Sequence, residues 1–135
     1  MQPQEAEHEL AHATAVLAGE ADVVLAIAFG SLAAGQAGTE SDVDVGVLTE
    51  GPLDDRRRER LVRAIAQATG RPVDLVDLRS AGVPLLRTIL TTGTVLLRRD
   101  ATAHAQLVSR MLADVEDFLP LRERLLRERR QRWIG

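Results

Sequence analysis

The sequence predicts a small α/β domain built on one sheet, and three observations carry that prediction. Four short apolar runs rich in Val, Leu and Ile occur at 23–29, 43–48, 73–78 and 94–97. Such runs, bounded by turn residues, read as buried strands. Segments with helical spacing of apolar residues precede, separate and follow them, which is the alternation of a helix-covered sheet. The chain has 135 residues, enough for one core, and is read as a single domain over 1–135.

Taken in order, residues 4–18 place Leu10, Ala13, Val16 and Leu17 among polar residues, predicting a helix that ends near Gly19. The run Val23-Val24-Leu25-Ala26-Ile27-Ala28-Phe29 is the first strand. Leu32-Ala33-Ala34 allows one or two helical turns before Gly35, and 36–41 reads as a loop. Residues 43–48 form the second strand, broken by Gly51-Pro52. Residues 54–68 set Leu61, Val62, Ile65 and Ala68 among charges, an amphipathic helix stopped by Gly70. Pro72 opens the third strand, Val73 to Leu78. A helix over 83–91 carries Pro84 in its first turn, and Thr94 to Leu97 is a short fourth strand. From about 101 to 133 the pattern is helical again, with Pro120 as an interruption.

Composition excludes several classes. With no cysteine there are no disulfides, no thiol catalysis and no Cys-held zinc. The apolar run at 23–29 is too short to span a bilayer, nothing resembles a signal peptide, and the expected compartment is the cytoplasm. Phe29, Phe118 and Trp133 are the only aromatic residues, too few for a base-stacking single-strand binder. A formal net charge of −3 argues against a chain built to coat nucleic acid. All 17 basic residues are Arg, so any phosphate clamp here is a guanidinium rather than an ammonium.

The chemistry concentrates at the first two strands. The first ends in Gly30-Ser31, which leaves backbone N–H groups and a hydroxyl at a turn mouth, where phosphate oxygens bind well. Ten residues later come Asp42-Val43-Asp44 and an apolar strand. Strand side chains alternate, so Asp42 and Asp44 share one face. Two hard oxygen donors beside a phosphate cradle suit Mg²⁺ and a nucleoside triphosphate. The structural alternative is that Ser41-Asp42 caps a turn while Asp44 meets solvent. Asp74 and Asp77 are candidates for a third carboxylate. Three apart in a strand, they face opposite sides, so one at most joins the pair, and Asp74 is favoured. Two metals about 4 Å apart can hold the attacking and leaving oxygens of a phosphoryl transfer in line.

The composite Gly30-Ser31, ten residues, Asp42-Val43-Asp44 resembles the signature of the DNA polymerase beta-like nucleotidyltransferase superfamily. The short chain and the Val73-Asp74-Leu75-Val76 segment resemble its minimal nucleotidyltransferase (MNT) branch. The resemblance covers roughly residues 20–98. It implies a small mixed α+β sheet flanked by helices and Mg²⁺-dependent transfer of a nucleoside monophosphate. By matching positions, Gly30 and Ser31 would hold the triphosphate of ATP. Asp42 and Asp44 would ligate both Mg²⁺ ions, and Asp74 would complete the catalytic and metal-binding set. Many MNT proteins pair with a HEPN-domain ribonuclease toxin and silence it by AMPylation. The expected role is therefore an AMP-transferring antitoxin with a HEPN toxin as partner, in a homo- or hetero-oligomer. Neutralisation by occlusion without catalysis, and transfer to a small molecule, are the alternatives. The latter usually needs an acceptor domain for which 135 residues leave no room.

One departure from the family pattern concerns charge. Active members often carry an Arg in the turn after Gly-Ser, whereas this chain has Leu32-Ala33-Ala34-Gly35. Arg71, Arg79 and Arg87 are the substitutes considered for the missing phosphate contact. His8 and His12, spaced four apart on a helix, suit a metal pair but read more simply as surface residues, and His104 is isolated. The stripe Leu107, Met111, Leu112, Val115, Phe118 and Leu119 is expected to pack largely on the sheet. The six arginines from Arg122 to Arg132, interleaved with Glu123 and Glu128, read as a solvated or partner-facing helix. Leu125, Leu126 and Trp133 are expected to extend toward a partner surface.

Overall fold

Strand β1 (Val23–Phe29) is apolar along its whole length because it lies inside the sheet, with neighbours on both edges. A computed structural model describes residues 3–35 and 42–113 of the chain. Helix α1 (Pro3–Ala18) precedes β1, and a short helix α2 (Gly30–Ala33) follows it. Next come β2 (Val43–Thr49), α3 (Asp55–Thr69), β3 (Val73–Asp77), α4 (Val83–Thr92) and β4 (Thr94–Arg98). A further helix, α5, covers 101–113. Apart from α2, the ends of these elements fall within one residue of the sequence expectation where both are defined. Helix α2 begins at Gly30 itself, so Gly30-Ser31 opens a helical turn rather than an open loop. The expected loop at 36–41 and the chain beyond 113, with its arginine run and the apolar residues from Val115 onward, lie outside the described residues.

The strand order is β3-β2-β1-β4. Strand β1 pairs antiparallel with both β2 and β4, while β2 and β3 run parallel, joined by α3. The sheet is therefore mixed, and the parallel pair owes its existence to a helical crossover.

Alternation along the strands divides the core. Val43, Val45, Val47 and Leu75 face α1 and α3, burying against Ala13, Leu17, Leu61 and Ile65. Leu25, Ile27 and Leu48 face the other way, against Leu86 and Ile89 of α4 and Leu107 and Met111 of α5. On that second face Gly46 leaves room for Leu78 and Ile89, since a Cβ there would come within 2.6 Å of Leu78 Cδ2. Leu112, expected to pack with its stripe, is 52% exposed. Leu107 and Met111 sit four apart on one helix face, and Leu112 is turned about 100° from Met111, off that face.

Local signals fix the helix ends. Asp54 Oδ1 accepts the Arg57 backbone N–H at 2.7 Å to cap α3, and Gly70 closes it with φ 67°. Asp100 Oδ1 accepts from Ala103 N at 3.0 Å and caps α5.

Candidate nucleotidyl-transfer site

Both parallel strands begin at the same end of the sheet where β1 finishes, and that end collects the acidic residues. The β2–β3 register sets Asp44 directly beside Asp74. Asp44 lies on the face of Leu48, and Asp74 on the face of Val76, which is the side covered by α4 and α5. Asp42, two residues before Asp44, has the same parity and is exposed. Across the sheet from β3, Asp44 pairs with Phe29, the last residue of β1. Gly30 follows at once, with φ 75°, and its backbone lies against the Asp44 carboxylate. Ser31 is exposed in the first turn of α2. Gly30, Ser31, Asp42, Asp44 and Asp74 are therefore gathered at one sheet end.

The electrostatics follow from this gathering. Burial, then the charges of Asp74 and Asp42, push the Asp44 carboxyl above its usual range. Asp77 stands apart: its register partner is Val47, further along the sheet, and its Oδ1 accepts the Arg79 N–H at 3.0 Å. It caps the turn after β3, as a residue of opposite strand parity would.

Arg71 and Arg79, considered as substitutes for the absent turn arginine, are placed elsewhere. Arg71 is 9% exposed and directs Nε toward Glu9 Oε2 of α1 at 3.7 Å, on the α1–α3 face opposite Asp44 and Asp74. Arg79 donates from Nη2 to the Thr49 carbonyl at 2.6 Å. Thr49 is five residues along β2 from Asp44, roughly 16 Å at strand rise. Arg87 is exposed on α4. His8 and His12 are exposed, with ring centroids 6.0 Å apart.

Sequence reasoning missed two features. One is the contact between Gly30 and the Asp44 carboxylate, for which the positive-φ preference of glycine at a strand end was the available signal. The other is how many arginines serve architecture. Arg57 binds Glu20 and Asp22, Arg58 reaches the Leu75 carbonyl at 2.6 Å, and Arg99 and Arg110 donate to the Val23 and Arg79 carbonyls. No local pattern announces those partners, because they come from distant parts of the chain.

Gly30-Ser31 at the start of α2 thus stands beside three carboxylates at one end of the sheet. The family model of the Polymerase beta nucleotidyltransferase domain matches residues 12–102, and the chain belongs to that family. A segment of 65 residues is 42% identical to protein adenylyltransferase MntA of Shewanella oneidensis. That alignment covers 48% of this chain and 47% of the relative, so the chain spans about half the length of the curated relative it matches. Among solved structures, a chain of a toxin–antitoxin complex with AMP-PNP is similar at 28% identity with a TM-score of 0.67. That match covers 79% of this chain and 86% of the other. A chain of the complex between tri-AMPylated Shewanella oneidensis HEPN toxin and MNT antitoxin is similar at 26% identity and TM-score 0.59, over 79% and 82% of the two chains.

Proposed function

We propose that this chain, as a single domain over 1–135, moves AMP from ATP to a hydroxyl of a partner protein, a HEPN-domain toxin, and so acts as a cytoplasmic antitoxin. The observation that carries the reading is the register of β2 and β3, which sets Asp74 beside Asp44 at the sheet end where Gly30-Ser31 leads into α2. The adenylyl group and the protein acceptor are drawn from what the similar proteins are named for. Among the described residues no helix is long and apolar enough to cross a membrane.

The donor set fits Mg²⁺. Three carboxylates supply only hard oxygens, and their mutual repulsion calls for a cation. Among the described residues no group of three or more His, Cys, Asp or Glu side chains is placed to hold a metal ion by itself. Water and the phosphate oxygens of the substrate would have to supply the remaining donors. Asp42, Asp44 and Asp74 would hold two Mg²⁺ ions, which when bound supply positive charge to the triphosphate and its developing pyrophosphate.

The protein's own groups perform the rest. Gly30 and Ser31 hold the triphosphate against α2. The acceptor hydroxyl oxygen bonds to the α-phosphorus, the bond from that phosphorus to the bridging oxygen breaks, and pyrophosphate departs. Asp74 takes the hydroxyl proton and, being exposed, passes it to solvent.

A second reading has a specific observation in its favour. The turn Leu32-Ala33-Ala34-Gly35 after Ser31 carries no arginine, and Arg71 and Arg79 are held away from the site. Loss of one charge-assisted contact weakens ATP binding by about 1.5–3 kcal/mol. On this second reading the chain neutralises its partner by covering it, without transfer. Co-expression of the toxin with Asp44→Ala separates the two readings. Catalysis predicts that the variant binds the toxin yet fails to protect growth, whereas full protection would establish occlusion.

A further inference from the structure

Gly30 is one of three described glycines with positive φ, the others being Gly35 and Gly70, at 71° and 67°. At Gly35 and Gly70 an added Cβ would meet nothing within 4 Å, so glycine there answers the backbone alone. Gly30 differs. A Cβ at Gly30 would overlap Asp44 Oδ2 and stand 3.2 Å from its Cγ and 3.4 Å from its Cβ. The cause is topological: Phe29 pairs with Asp44, so the residue after Phe29 leaves β1 across the Asp44 side chain.

We infer that Gly30 is a positioning residue for Asp44, its bare Cα forming one wall of the seat that fixes the carboxylate. Its role is thus not confined to admitting the nucleotide's phosphates. The inference takes from the proposed function the reading of Asp44 as a cation ligand. A side chain at 30 obliges the Asp44 carboxylate to turn from its present place, and two of its directions are poor. Toward β3 it meets the carboxylate of Asp74, its register neighbour. Along β2 it meets the ground above Gly46, which Leu78 and Ile89 already occupy. The seat therefore exists before any nucleotide arrives, and Gly30 is needed in its absence.

A double-mutant cycle tests the seat without reference to any ligand. Gly30→Ala is expected to lower the unfolding temperature more in the native background than in Asp44→Ala. In that second background the loss should shrink to that of Gly70→Ala, which bears the backbone strain alone. Equal losses in both backgrounds would overturn the proposal. Binding of Mn²⁺ without nucleotide, read by electron paramagnetic resonance, tests the consequence. Gly30→Ala is expected to weaken it tenfold or more, while Gly70→Ala leaves it unchanged. Unaltered Mn²⁺ affinity in Gly30→Ala, where Asp44→Ala does lose affinity, would also overturn it. A coupled cycle with Mn²⁺ binding insensitive to Asp44→Ala would support the seat and overturn the cation reading.

Discussion

Replacing Asp44 by Asn should remove transfer and yet make the cation-free protein more stable. Asp44 is half-buried and sits beside Asp74 in the parallel register, with Asp42 two residues away. Burial, Asp74 and Asp42 all raise its pKa, so the ionised carboxylate opposes the fold. A like-charged pair directly opposed across strands costs about 0.2–1 kcal/mol, and Asn keeps the shape while removing the charge. For a domain of this size that gain corresponds to roughly 1–5 °C in unfolding temperature. The assay is thermal unfolding in EDTA without nucleotide, run from acid to neutral pH. Because the folded pKa lies above the ordinary 3.8, the folded state binds more protons than the unfolded chain between those values. Native stability from this group is therefore full below 3.8 and falls as pH rises through the folded value. The advantage of Asp44→Asn should accordingly be small in acid and reach its plateau near neutrality. A variant that melts below the native protein at neutral pH, with no narrowing in acid, would refute the repulsive cluster.

Three other outcomes follow from the geometry. Asp74→Asn should lower AMP transfer by about 10²-fold or more, whereas Asp77→Asn should leave it near native, as read with labelled ATP; equal losses would contradict the strand parity. Arg57→Ala should cost about 1–2 kcal/mol in denaturant unfolding, because Arg57 is 16% exposed while its partner Asp22 is 40% exposed. The Arg57 guanidinium holds the Asp22 carboxyl below its usual value, so that stabilisation is present above 3.8 and lost as pH falls through the lower folded value. Gly46→Ala should destabilise by about 1–3 kcal/mol through overpacking against Leu78, measured in the same unfolding experiment.

The strands and the acidic constellation were legible because their signals are local. Apolar runs bounded by Gly and Pro mark the strands, and period-two alternation puts Asp42 and Asp44 on one side. The same parity separates Asp74 from Asp77, and the β2–β3 register then brings Asp74 alone beside Asp44. What stayed hidden depends on pairing between distant segments. Arg71 and Arg79 look alike in sequence as possible phosphate contacts. One turns to Glu9 on the far face and the other to Thr49 at the far end. The start of α2 at Gly30 was likewise hidden, since Gly-Ser reads equally as a turn, and the seat it makes for Asp44 appears once β1 and β2 are paired. Leu112 failed to follow its stripe because one residue of helix rotation moves it off the sheet.

The central claim is that the sheet-end carboxylates move AMP onto a protein. The direct measurement is incubation of the chain with its HEPN-domain partner, Mg²⁺ and ATP labelled at the α-phosphate, beside ATP labelled at the γ-phosphate and an Asp42→Ala control. The account predicts α-label on the partner, no γ-label, and loss of the signal in Asp42→Ala. A tight complex that carries no label with the native chain would contradict it.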